Sequence, residues 1–251
     1  MNQASVPSKS AEGYSYSSFQ YIAAWAVHTY TASGFVAGFL ALRATIAGQA
    51  QAAFVWMLIA VLIDATDGTL ARAVRIKHVL PWFDGAKLDD IVDYFTFVIV
   101  PLVFLYQFQL LPASGTLLFV SLPFLASAYG FCQAEAKTDD FFFTGFPSYW
   151  NIVAFYVYAG HTPVWFNAGL VCVLSLFVFI PIRYIYPTRT PDFRLLTNLL
   201  GVVWVVVLVI ILWQFPTPPG WLVWPSLAYP LYYTLLSFYL HKKTRQTAGR
   251  S

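Results

Sequence analysis

The chain has 251 residues, 59% of them hydrophobic and only 10% charged, with a net charge of +3 and a mean hydropathy of +0.65. Soluble domains carry about 25% charged residues, so this composition excludes an ordinary soluble domain and fits an integral membrane protein of several helices. The basic residues sit in short clusters between apolar runs, which argues against a nucleic-acid surface and matches membrane orientation signals.

The polar start MNQASVPSKSAEGYSYSS has no positively charged lead into a short apolar core. It reads as a cytosolic tail over 1–20, with a short surface helix near Tyr14–Tyr21, rather than as a signal peptide. Apolar runs then predict helices at about 21–46, 51–73, 85–108, 114–135, 147–160, 163–185, 194–214 and 219–240. Gly, Pro and polar residues break them, as in LPASG, AGHTP and FPTPPG. In the first run GFVAG, from Gly34 to Gly38, marks a small-residue helix contact. Cys132 and Cys172 fall within apolar runs and read as small buried hydrophobes.

The fifth run is short, but the charges support it. With eight spans and a cytosolic N-terminus, every Lys and Arg except Arg43 falls on the cytosolic side. The expected fold is an all-α polytopic membrane bundle of about eight transmembrane helices, with both termini cytosolic. Residues 21–240 form its single domain, and 241–251 form a basic cytosolic tail.

From the end of the second run to the start of the third stand Asp64, Asp67, Asp84, Asp89, Asp90 and Asp93, six of the chain's eleven acidic residues. On a helix, Asp64 and Asp67 share one face, and Gly85, Asp89 and Asp93, each four apart, form one stripe. Asp64 lies eight residues before Arg72 and Asp93 eight after Gly85, about 12 Å along each helix. The two antiparallel helices thus bring Asp64, Asp67, Asp89 and Asp93 to one level near the cytosolic surface. Asp84 is placed to cap the third helix. A carboxylate inside a span costs several kcal/mol unless paired or hydrated, and hard divalent cations offset that cost. Oxygen-only ligands suit Mg²⁺ or Mn²⁺, and two such ions serve displacement at phosphorus. Gly68, Ala71 and Gly85 leave room for a bulky ligand on these faces, and Arg72 supplies a cation for phosphate oxygens.

The pattern Asp64-x2-Asp67-Gly68-x2-Ala71-Arg72, then Gly85-x3-Asp89-x3-Asp93, resembles the signature of the CDP-alcohol phosphotransferases. The twelve-residue spacer between Arg72 and Gly85 is longer than the eight usual in that family. Together with FDGAKLDDIVDY, HTYTASG and AEAKTDDFFFTGFPSYWN, it resembles the bacterial phosphatidylcholine synthases, a subfamily that joins CDP-diacylglycerol to free choline. The resemblance implies Asp64, Asp67, Asp89 and Asp93 as ligands of two divalent ions, Mn²⁺ or Mg²⁺, with Asp93 also the general base. Spacing alone does not choose Asp93 over Asp89 for that role. Gly68, Ala71, Arg72 and Gly85 would hold the cytidine diphosphate. The resemblance also implies a homodimer in the bacterial inner membrane, among membrane lipids, with its active site facing the cytosol and no nucleic-acid partner.

His28, Thr31 and Ser33 are candidates for lining the nucleotide cleft, weighed evenly against ordinary helix–helix hydrogen bonds. Choline's quaternary ammonium calls for aromatic faces or a carboxylate. Tyr94, Tyr129, Tyr149, Trp150, Tyr184 and Tyr186 lie at cytosolic ends of spans, with Glu135 as a counter-charge. Arg183, Arg189 and Arg194 read first as orientation charges, with Arg183 and Arg189 also candidates for the lipid phosphate. Two other functions compete: a phosphatidyltransferase using serine, inositol or glycerol phosphate, and an ion-coupled transporter. A transporter should show interrupted helices and two related halves. Here the carboxylates are confined to one hairpin.

Overall fold

The computed structural model describes residues 16–133, 142–185 and 193–248. Helix α1 (Ser18–Ile46) opens on a capping box: Ser17 Oγ accepts from Gln20 N–H, and the Gln20 side chain accepts from Ser17 N–H at 2.8 Å. Of the surface helix expected near Tyr14–Tyr21, Tyr14 and Ser15 lie outside the described residues and Ser18–Tyr21 form the first turn of this helix. The next helices are α2 (Ala50–Ala73), a single turn α3 (Ile76–Val79) and α4 (Gly85–Asp93). A π-helical segment, Tyr94–Ile99, joins α4 to α5 (Val100–Gln107). Then come α6 (Thr116–Phe131), α7 (Trp150–Ala159), α8 (Val164–Phe179), α9 (Arg194–Trp213), α10 (Gly220–Ser226) and α11 (Ala228–Ala248).

Every apolar run predicted from the sequence contains a helix, but two ends differ. The described chain is all-α in class, with one small ribbon in which strands β1 (Phe142–Thr144) and β2 (Arg183–Ile185) pair antiparallel. The ribbon takes the end of the run expected to continue as helix to residue 185. At the C-terminus α11 carries the basic residues on a helix to Ala248. Cys132 is exposed rather than buried, because α6 ends at Phe131.

Among the described residues, α2 and α9 are long and apolar enough to cross a membrane, and α6, α7 and α8 are shorter apolar helices. Helix α9 leaves Leu195, Leu199, Val202, Val206 and Trp213 exposed, a stripe fit for hydrocarbon rather than water. Near its C-terminal end Ile211 and Leu212 are buried against the core.

Helix α5 is the centre of that core. Val100, Leu102, Phe104 and Leu105 are fully enclosed. Phe104 lies 4.5 Å from Phe54 of α2 and stacks on Phe108 at 4.2 Å. Buried polar side chains tie the outer helices together. Trp150 Nε1 donates to Ser127 Oγ at 2.8 Å, and Trp204 Nε1 donates to the Tyr156 hydroxyl at 2.9 Å. Such bonds hold helices together where lipid removes the hydrophobic drive.

Helix α1 packs against α2 and against the α4–π–α5 rod. Its buried residues, Ala24, Val27, His28, Thr31, Gly34, Ala37, Gly38 and Ala41, recur every three or four positions. The GFVAG contact forms as expected. A Cβ on Gly34 would stand 2.5 Å from Val92 Cγ1, and one on Gly38 2.7 Å from Phe95 Cε1. Gly38→Ala should therefore push α1 off the carboxylate-bearing rod and cost about 1–3 kcal/mol. A lowered melting temperature in detergent checks this, and wild-type melting would show that the close approach is absent.

Candidate active site

Helix α2 carries Asp64 and Asp67 in its C-terminal half, and α4 carries Asp89 and Asp93. Asp84 caps α4 by accepting from Lys87 N–H at 3.0 Å. This cap fixes where the helix starts, and so the face on which the later carboxylates emerge. Asp64, Asp89 and Asp93, all half-buried, each offer an oxygen within 4.8 Å of the others. Asp67 lies one turn along α2 from Asp64 and is the more enclosed, at 6% exposure. It stands outside that group of three.

The donor set is all carboxylate, drawn from two helices and partly shielded from water, which fits a hard divalent cation. Asp93 is also the last residue before the π segment, in which Val100 N–H reaches back five residues to Phe95 O. Widened turns of this kind recur at functional sites.

The small residues of the pattern meet other side chains of this chain. Gly68 lies half-buried against its own Arg72: a Cβ there would meet Arg72 Nη1 at 3.3 Å. Arg72 is exposed and donates from Nη2 to Thr69 Oγ1 at 2.9 Å. Ala71 packs against the small cluster of Ala24, Val27, Ile76, Val79 and Leu80. Gly85 begins α4, and a Cβ there would stand 2.6 Å from His28 Cε1, so α1 presses a ring against it. Thr31, one turn further along α1, is buried.

The aromatic candidates separate. Tyr149 lies 6.3 Å from Phe97, four residues after Asp93, and edge-on to Tyr233 at 6.4 Å. Tyr184 stacks on Tyr233 at 6.3 Å and 18°. It is in β2, outside the helices, where burial pushes its phenol up to about 12. Tyr94 donates its hydroxyl to the Phe124 carbonyl at 2.9 Å, and Tyr129 lies half-exposed on Phe179. Trp150 departs from expectation. It is fully enclosed, bonded to Ser127 and set against Phe146, because α7 starts by turning this side chain into the bundle. It is a core residue and leaves the choline candidates.

Arg183 is half-buried in β2, its backbone N–H donating to His241 Nδ1 at 3.3 Å. Glu135, Tyr186 and Arg189 lie outside the described residues. Tyr233 was missed in the sequence, since nothing in YYTLL distinguishes it from Tyr232.

No family model matches the chain. A phosphatidylcholine synthase of Legionella pneumophila is 46% identical over 171 residues, 68% of this chain and 67% of that protein. One of Pseudomonas aeruginosa is 38% identical over 183 residues, covering 73% and 77%. One of Borreliella burgdorferi is 30% identical over 226 residues, covering 89% and 97%. All three are named for an enzyme, which sets the transporter aside. With the paired-helix carboxylates spaced as in the CDP-alcohol phosphotransferases, the chain belongs to the phosphatidylcholine synthase family.

Proposed function

We propose that this chain transfers the phosphatidyl group of CDP-diacylglycerol to free choline and releases CMP. The observation that carries the proposal is the meeting of Asp64, Asp89 and Asp93 from two helices, in a chain similar to proteins named for this product. Asp64, Asp67, Asp89 and Asp93 would hold two divalent ions, Mn²⁺ or Mg²⁺, which when bound supply positive charge to the diphosphate. Gly68, Ala71, Gly85 and Thr31 would wall the nucleotide groove, with Arg72 turned to phosphate oxygens. Asp93 takes the choline hydroxyl proton on a carboxylate oxygen as the choline oxygen bonds to the phosphorus bearing diacylglycerol. The bond from that phosphorus to the CMP oxygen breaks, and CMP departs.

The proposed setting is a bacterial inner membrane crossed eight times, with both termini and the site on the cytosolic side. The distribution of Lys and Arg supports that orientation. Residues 21–240 would act as one catalytic domain, with tails at 1–20 and 241–251, and the family resemblance supports a homodimer. Arg183 and Arg189 remain candidates for the lipid phosphate.

The test is direct. Purified protein with CDP-diacylglycerol, Mn²⁺ and labelled choline, serine, inositol or glycerol phosphate should form lipid from choline alone. Lipid formed from another acceptor instead would overturn the choline assignment.

For choline itself we propose Tyr149 and Tyr184, whose rings both meet Tyr233, with Tyr94, Tyr129, Glu135 and Tyr186 as further candidates. Each ring contact with a quaternary ammonium contributes ~0.5–2 kcal/mol. Tyr149→Leu should thus raise the choline KM from about twofold to about thirtyfold, with little change in the KM for CDP-diacylglycerol. Equal rises in both would place Tyr149 in general packing.

A further inference from the structure

His28 is a buried polar group with no partner of its own. Its side chain is 6% exposed, and Nε2 is the one buried side-chain nitrogen or oxygen among the described residues with no hydrogen bond. Buried polar groups in folded proteins are almost always satisfied, and an exception calls for a missing water or ligand. The surroundings disfavour water. The ring lies 4.3 Å from Phe83 and 5.9 Å from Trp25, and its Cε1 edge faces the bare Cα of Gly85. An ordered water needs two to four polar partners, and these neighbours are two aromatic rings and a glycine.

A heterocycle seated against these rings suits the imidazole better, because it brings a π face for the rings and a polar edge for Nε2. Position along the helix says which part of the donor arrives there. Gly85 lies four residues from Asp89, about 6 Å along the axis, on the side away from Asp93. With the diphosphate over the carboxylates, the nucleoside extends toward His28.

We propose that His28 is a specificity-determining residue for the donor, its Nε2 hydrogen-bonding the polar edge of the cytosine base. The assignment rests on CDP-diacylglycerol being the donor. It gives Gly85 a second purpose: the missing side chain lets the imidazole reach its place.

The test compares His28→Phe, which keeps a ring against Phe83 without the nitrogen, with His28→Gln, whose amide can reach the place of Nε2. Titration calorimetry measures CMP and UMP binding in Mn²⁺, and initial rates give KM for CDP-diacylglycerol and choline. His28→Phe should weaken CMP binding and raise the CDP-diacylglycerol KM about tenfold, the effect of one lost hydrogen bond. It should also erode the preference for CMP over UMP and leave the choline KM unchanged. His28→Gln should stay near wild type. Wild-type CMP affinity in His28→Phe, or equal damage in His28→Gln, overturns the proposal. If His28→Phe does not fold, His28→Leu replaces it on the same criteria. Failure of the donor reading shows separately, as wild-type protein that neither binds CMP nor turns over CDP-diacylglycerol.

Discussion

Asp64→Asn and Asp89→Asn should each lower turnover by on the order of 10³-fold or more. Metal ions contribute several kcal/mol of charge stabilisation to phosphoryl displacement, and each 1.36 kcal/mol is a factor of ten. The two residues come from different helices and offer oxygens within 4.8 Å, together with Asp93. Removing either takes away one side of the same site. Chelators should abolish wild-type activity, and Mn²⁺ or Mg²⁺ should restore it. A second readout separates metal loss from unfolding. Ligand that binds only the folded state raises the melting temperature, so Mn²⁺ should raise it for wild type and much less for either variant. Both variants should still fold in detergent. Undiminished turnover in Asp64→Asn or Asp89→Asn would remove the metal site as proposed.

Asp93→Asn should give a different pattern. General base catalysis contributes typically 10²–10⁴-fold, so kcat should fall by that order. The amide oxygen still offers a donor to a cation, so CMP affinity should change far less than kcat. Single-turnover rates alongside CMP titration make the comparison. If CMP affinity collapses while the residual rate holds, Asp93 acts chiefly as a metal ligand and the proton goes elsewhere.

The helices were legible in the sequence because apolar runs of this length leave little choice in lipid, where every backbone group must be bonded within its own segment. The carboxylate site was legible for a related reason. Spacings of three and four put Asp64 with Asp67, and Asp89 with Asp93, on single faces, and a short connection makes those faces meet. Depth along the helices was legible, but the fine grouping was not. Four carboxylates were expected at one level, and the group of three excludes the more buried Asp67. The ribbon was missed because Arg183–Ile185 closes an apolar run and passes as a helix end, while Phe142–Thr144 falls in the connection between two runs. Trp150 misled for a similar reason. At the boundary of a span an aromatic residue serves equally as an interfacial anchor or as core, and only the direction of the side chain decides.

The π segment has a consequence for anyone who maps this protein by counting residues. An α-helix turns about 100° per residue, and a widened turn absorbs an extra residue without lengthening the contact pattern on either side. A helical wheel drawn straight from 85 to 107 therefore places each residue after Ile99 about 100° from where it lies. Positions up to Asp93 and positions in Val100–Gln107 follow two separate wheels. The half that carries the carboxylates and the half enclosed by the bundle thus each keep their own alignment, joined through Tyr94–Ile99.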